Sequence, residues 1–139
     1  DYQIDHYKNR FLKYINPGFI KCVTDENDEL VAFAITMPSF SNALKKINGK
    51  VDLIGKLRLL HAKNFNHKGS LYLIGVRPDF QNKGVIAILF NELQKFYNKF
   101  GITEVETNPE LIENTAIQQL WKNYENNQHK NRATFTKEI

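Results

Sequence analysis

Apolar and polar positions along the chain change period several times, and each change marks an element. Ile4, Tyr7, Phe11, Leu12 and Ile15 recur at near-helical spacing, predicting a helix over residues 2–14 that Pro17-Gly18 closes. Residues 19–24 and 30–37 are β-rich runs, and the polar Asp25-Glu26-Asn27-Asp28 between them predicts an antiparallel hairpin. Pro38 with Ser39 and Ser41 introduces a short helix ending near Asn48-Gly49, and Asp52 caps a longer one to about residue 64. Residues 71–76 are nearly all apolar, as in a central strand covered on both faces. From Lys83, the stripe Ile86, Leu89, Phe90, Leu93, Phe96, Tyr97 and Phe100 predicts a sheet-packed helix stopped by Gly101. Residues 103–107 read as a strand, Asn108-Pro109 as a turn, 111–124 as a helix and 132–137 as a last strand.

The size and composition, 139 residues with 42% hydrophobic and 24% charged, fit one folded domain spanning 1–139 and exclude disorder, collagen and coiled coil. Cys22 has no cysteine partner and sits among apolar neighbours, so it reads as a small core residue. The four histidines lack metal-ligand spacing, and no metal is expected. Without a long apolar run or a signal-peptide pattern, the expected location is cytoplasmic, with no membrane partner. The chain opens at Asp1, and we read it as a trimmed chain or the C-terminal part of a longer one.

Charge is concentrated in residues 45–68, with seven basic side chains and one acidic. Lys45, Lys46, Lys50, Lys56, Arg58, Lys63 and Lys68 make either a solvated helix face or a surface for a phosphate-bearing ligand. Nucleic acid is disfavoured, because no RNA-type aromatic motif or helix-turn-helix spacing accompanies the charge.

The densest chemistry lies in Gly75-Val76-Arg77-Pro78-Asp79-Phe80-Gln81-Asn82-Lys83-Gly84-Val85-Ile86-Ala87, which joins a strand directly to a long helix. The first amides of such a helix lack intrahelical acceptors and its dipole is positive there, so an anion such as pyrophosphate can bind. Gly84 removes a Cβ that would block close approach, and Pro78 ends the strand at Arg77. On these residues alone the segment is a phosphate site or an ordinary loop.

Val76-Arg77-Pro78 followed by Gln81-Asn82-Lys83-Gly84 resembles the acyl-CoA-binding signature of GCN5-related N-acetyltransferases (GNAT). Glu113-Asn114-Thr115-Ala116, leading into Leu120-Trp121-Lys122, is similar to that family's second cofactor element. The resemblance implies an α/β (α+β) fold, a mixed, mostly antiparallel sheet flanked by helices, with central strands splayed to admit the pantetheine arm. It implies acetyl-CoA or another acyl-CoA as cofactor, held by Ile74, Gly75, Val76, Gln81, Asn82, Lys83, Gly84, Val85, Ile86 and Asn114. The chain departs from the pattern at Ile86, where Gly or Ala is usual, and at Trp121, where many relatives carry an acidic Tyr. The family's first strand is expected to precede residue 1, so a preceding domain or a homodimer is a candidate partner.

Acyl transfer to an amine needs a base, a polarised carbonyl and a protonated leaving thiol. A backbone N–H near Val76 is the implied carbonyl donor. Glu104 and Glu106 point to one face of their strand and are base candidates, or plain surface glutamates. His61, on the apolar side of the basic helix with Ile54 and Leu57, is either a base or a core histidine. Tyr124, three residues past Trp121, is the candidate acid, and Tyr72 a weaker site candidate; packing roles explain both as well. Asn114 can bond pantetheine by analogy or simply cap its helix. The function expected is N-acyl transfer to a small-molecule or peptide amine, with a CoA-binding module lacking turnover as the alternative.

Overall fold

The computed structural model describes residues 2, 5, 6, 16–48 and 52–137. The helix expected over residues 2–14 lies, but for Tyr2, Asp5 and His6, outside them. Two compact units are present, Asp1–Thr107 and Asn108–Ile139.

The first unit is built on a sheet of four strands, β1 (Ile20–Thr24), β2 (Leu30–Pro38), β3 (Lys68–Val76) and β4 (Glu104–Glu106), in that spatial order. β1 and β2 form the expected antiparallel hairpin. The Asp25 carboxylate sets its turn by accepting from the amides of Asn27 and Glu29, both at 3.0 Å, while Asp28 takes positive φ. β3 is antiparallel to β2 and parallel to β4, so the sheet is mixed and mostly antiparallel.

Two helices connect β2 to β3. α1 (Ser41–Ile47) ends at Asn48 in the left-handed region, and α2 (Leu53–Asn64) starts where the Asp52 carboxylate accepts from the Gly55 amide at 2.7 Å. After β3, a 3-10 turn over Pro78–Phe80 leads to α3 (Val85–Phe100). Val85, Leu89, Leu93 and Tyr97 recur every four residues on one buried face of α3, which packs on β1 and β2 with Val31, Ala32 and Ala34 in the core. Phe19, Phe96 and Phe100 close the other end, with Phe19 edge-on to Phe96 at 4.8 Å. The Thr36 hydroxyl donates to the Phe19 carbonyl at 2.9 Å, and burial pushes the Tyr97 phenol up against a partly offsetting hydrogen bond to Thr36.

Three sequence expectations change in this unit. β3 is central but not covered on both faces: Leu71 is buried, whereas Tyr72 and Leu73 are exposed. Cys22 is exposed rather than core, because alternation on the edge strand β1 turns it outward. The apolar side of α2 is open as well, since Leu53, Ile54, Leu57 and Leu60 are all more than half exposed and Gly55 supplies the buried position.

In the second unit the helix expected over 111–124 shrinks to α4 (Thr115–Trp121). The Gln118 side chain bonds the carbonyls of Leu111 and Ile112, holding them in a turn, and the Asn126 amide donates to the Trp121 carbonyl at the far end. Residues 125–137 carry neither helix nor strand, so the last strand expected over 132–137 does not form; Phe135 is 93% exposed, and among the described residues no strand pairs with that backbone. No helix among the described residues is long and apolar enough to cross a membrane.

Candidate active site

The candidate site begins where β3 loses one neighbour. Its pairing with β4 stops at Ser70 and Glu106, whereas its pairing with β2 runs on to Val76. Among the described residues the sheet therefore opens along the second half of β3. Tyr72 is a bulge: Leu71 and Leu73 oppose the consecutive residues Thr36 and Ile35, so Tyr72 is skipped in the register. Beyond the bulge, the Arg77 amide donates to the Val31 carbonyl at 2.8 Å, which turns the backbone of Arg77 and Gly75 toward β2. By alternation, the N–H and C=O groups of Ile74 and Val76 face the opening.

Gly75 has a packing role in this stretch. A Cβ there would sit 2.6 Å from the Phe33 ring, its register partner on β2, so the glycine makes room for an aromatic side chain. Gly84 does match the expected geometry. It caps the start of α3 at φ 77°, and a Cβ built on it meets no atom within 4 Å, so the space beside it is open. Asn82 also takes positive φ, at 60°. Among the described residues, the amides of Asn82, Gly84, Val85 and Ile86 donate to no protein acceptor. Four outward donors at the positive end of a sixteen-residue helix form a seat for an anion. The Val85 side chain points inward to Val31 and Ala32, which fixes the helix start to the sheet, while Ile86 is half-buried and Ala87 exposed.

The turn is fastened by a residue not singled out in the sequence. Arg77 reaches Asp79 at 2.9 Å and both Asp25 and Glu29, in the β1–β2 turn, at 3.3 Å, and its guanidinium stacks on Phe80 at 4.6 Å. The Arg77 hydrogen bond holds the Asp79 carboxyl below its usual range. Desolvation would raise Asp25, but the amides of Glu29 and Asn27 together with Arg77 hold it down. Lys83 Nζ lies 5.1 Å from the centre of the same ring and carries the turn's remaining cation. Arg77's partners stand 48 and 52 residues away, a separation that local pattern reading does not bridge.

The candidate bases occupy two places. Glu104 pairs with Lys68, whose hydrogen bond lowers its carboxyl, whereas the half-buried Glu106 stands opposite Ser70, the last paired position before the opening. His61 is exposed rather than core: it stacks on Phe65 at 5.3 Å and lines a groove of about 480 Å³ between α1 and α2. That groove is tied to the start of β3, since Asn66 bonds the Ser39 carbonyl and accepts from the Lys68 amide, and the Ser39 amide donates to the Lys68 carbonyl at 2.8 Å.

In the second unit, Asn114 caps α4 with its side-chain oxygen, accepting from the Ile117 amide at 3.4 Å. Trp121 donates its indole N–H to both oxygens of Glu110, at 2.8 and 3.0 Å, and Tyr124 is 39% exposed with its ring 6.2 Å from Trp121.

The model of the Acetyltransferase (GNAT) family matches residues 2–124, and the chain belongs to that family. It is an N-acetyltransferase-family domain, and acetyl-CoA or another acyl-CoA is its cofactor class. Solved structures share the fold at low identity. An apo aminoglycoside 6'-N-acetyltransferase AAC(6')-IG from Acinetobacter haemolyticus is 15% identical over 100% of this chain and 83% of its own, with a TM-score of 0.57. AAC(6')-Iy, in complex with the bisubstrate analogue CoA-S-monomethyl-acetylneamine, is 16% identical over 86% and 69%, at 0.51. A ribosomal-protein-alanine N-acetyltransferase from Brucella melitensis is 14% identical over 84% and 70%, at 0.52. No curated protein matches the chain.

Proposed function

We propose that this chain transfers an acyl group, acetyl first, from acyl-CoA directly to the amine of a small-molecule or peptide acceptor. The observation that carries the reading is the four-amide seat at Asn82, Gly84, Val85 and Ile86, set at the end of a strand whose other half is open on the β4 side. Bound acyl-CoA supplies a thioester-activated acyl group. The pyrophosphate is held by those amides, with Gln81 and Lys83 beside them. Ile74 and Val76 present strand backbone to the pantetheine with Gly75 between them, and the Val76 N–H is the donor to the acyl carbonyl, where negative charge develops during transfer. The half-buried Ile86 side chain leaves the outward amides of this turn in place, so the departure from Gly or Ala is compatible with the seat. Asn114, whose Oδ1 caps α4, is the second-unit candidate for contact with the cofactor by family resemblance alone.

Glu106 and His61 are the proposed bases that take the first proton from the ammonium, and Tyr124 the proposed acid. The acceptor amine then forms the C–N bond as the C–S bond breaks, and its remaining surplus proton ends on the thiol. Solved relatives carry names that span aminoglycoside and protein N-terminal acceptors, so the fold alone leaves the acceptor open. The second reading, CoA binding without turnover, draws on Trp121, which stands at the sequence position where many family members carry the acidic Tyr and whose indole N–H is bonded to Glu110. Thiol release from acetyl-CoA, followed with a panel of amines, decides between them. Amine-dependent release supports transfer; CoA binding with no release for any amine supports the module.

A further inference from the structure

Resting on the acyltransferase reading above, we propose that the groove between α1 and α2 selects an acceptor amine carrying an anionic group on an apolar body. The groove's volume, about 480 Å³, is that of a small-molecule site. Its walls are of two kinds. Ile54, Leu57 and Phe65 supply apolar surface that is 59–74% exposed, a cost for a folded protein unless something covers it. Lys46 and Arg58 supply positive charge beside the His61 ring, and among the described residues no carboxylate lines the space.

Two cations elsewhere in the chain are committed to carboxylates. Arg77 is surrounded by three carboxylates and Lys68 is paired with Glu104. Among the described residues, neither Lys46 nor Arg58 enters an ion pair. Arg58 is nevertheless held in place, because its Nη1 donates to the Lys46 carbonyl at 3.1 Å, leaving the rest of the guanidinium fork to grip a carboxylate. An amine reacts in its neutral form, so an acceptor that also bears a carboxylate reaches the transition state with a net negative charge, complementary to this wall. A polycationic amine would be repelled by it.

Through Ser39 and Asn66 the groove is joined to Lys68 at the start of β3, and the anion seat follows Val76 at the end of the same strand, so one strand carries both.

The test uses acetyl-CoA with phenylalanine and leucine, their amides, which lack the carboxylate, and spermidine as a polycation. We expect kcat/KM for each amino acid to exceed that for its amide at least tenfold, mainly through KM, with spermidine poorest. Lys46→Glu combined with Arg58→Glu should remove that preference while leaving CoA affinity, read by calorimetry, within twofold. Equal rates for acid and amide, a preference for spermidine, or an unchanged preference in the charge-reversed variant would overturn the groove's role and leave acyl transfer standing. If no amine turns over, calorimetric titration of phenylalanine into the CoA-bound chain decides: binding that charge reversal abolishes supports the groove, and no binding overturns it. Absence of CoA binding would overturn the acyltransferase reading itself, and this inference with it.

Discussion

The Phe33 ring lies across Gly75 on the neighbouring strand, so close that a Cβ on Gly75 would stand 2.6 Å from its Cε1 and 3.0 Å from its Cζ. The two residues are one packing unit at the mouth of the candidate site. Gly75→Ala should therefore destabilise the fold by about 1–3 kcal/mol through overpacking. Phe33→Leu should relieve most of that penalty. Denaturant melts of the two single variants and the double variant measure the coupling, expected at about 0.5 kcal/mol or more; additivity within about 0.3 kcal/mol would show that the pair is independent.

Gly84 makes a different demand, because its φ of 77° is unfavourable for a side chain even though the space around it is open. Gly84→Ala should cost about 1–2 kcal/mol of stability from backbone conformation alone, and Gly84→Asn less. Both should weaken CoA binding more than tenfold, since the new atoms fill the space the pyrophosphate needs. Wild-type CoA affinity in a folded Gly84→Asn variant would move the seat elsewhere.

Arg77 predicts how the molecule responds to acid. The folded-state carboxyls of Asp79 and Asp25 are held below the ordinary value of 3.8, so unfolding in acid takes up protons that the folded chain resists. Their stabilisation is complete above that value and is lost as pH falls through the lowered folded-state range. Thermal melts from pH 7 to pH 2 should show a steeper decline for wild type than for Arg77→Met. Parallel curves would mean the clamp adds nothing in solution.

The two strand glutamates separate structure from chemistry. Glu104→Gln breaks an exposed pair with Lys68 and should change turnover less than threefold. Glu106→Gln, at the edge of the opening, should lower kcat about 10²-fold or more with CoA affinity retained, as should Tyr124→Phe if that phenol protonates the thiol. Equal, small effects at Glu106 and Glu104 would remove the strand from the mechanism and leave His61 as the base.

Local signals carried most of the first unit's fold into the sequence. The hairpin turn at Asp25, the Asp52 cap and the stripe positions Leu89, Leu93 and Tyr97 all act within one element and formed where their patterns pointed, with Val85 in place of Ile86 at the buried start of the helix. What stayed hidden depends on neighbours. The apolar run of β3 looks the same whether a partner strand or an opening lies beside it, so the exposure of Tyr72 and Leu73 was not legible. Cys22 was misread for the same reason, and the core alternative for His61 fails with it, because apolar sequence neighbours do not guarantee a covering layer. In the second unit, β-favouring residues at 134–136 formed no strand, since a ladder requires a partner backbone. The strand-to-helix turn was legible because Gly84 and its spacing encode a backbone shape directly.

Amide chemical-shift mapping during a CoA titration tests the central claim most directly, since it reads the proposed donors themselves. The account predicts saturable shifts concentrated at Asn82, Gly84, Val85 and Ile86, with smaller ones at Ile74 and Val76 along the open side of β3. A titration that leaves those six amides unmoved at millimolar CoA, or that moves a different set, would contradict it.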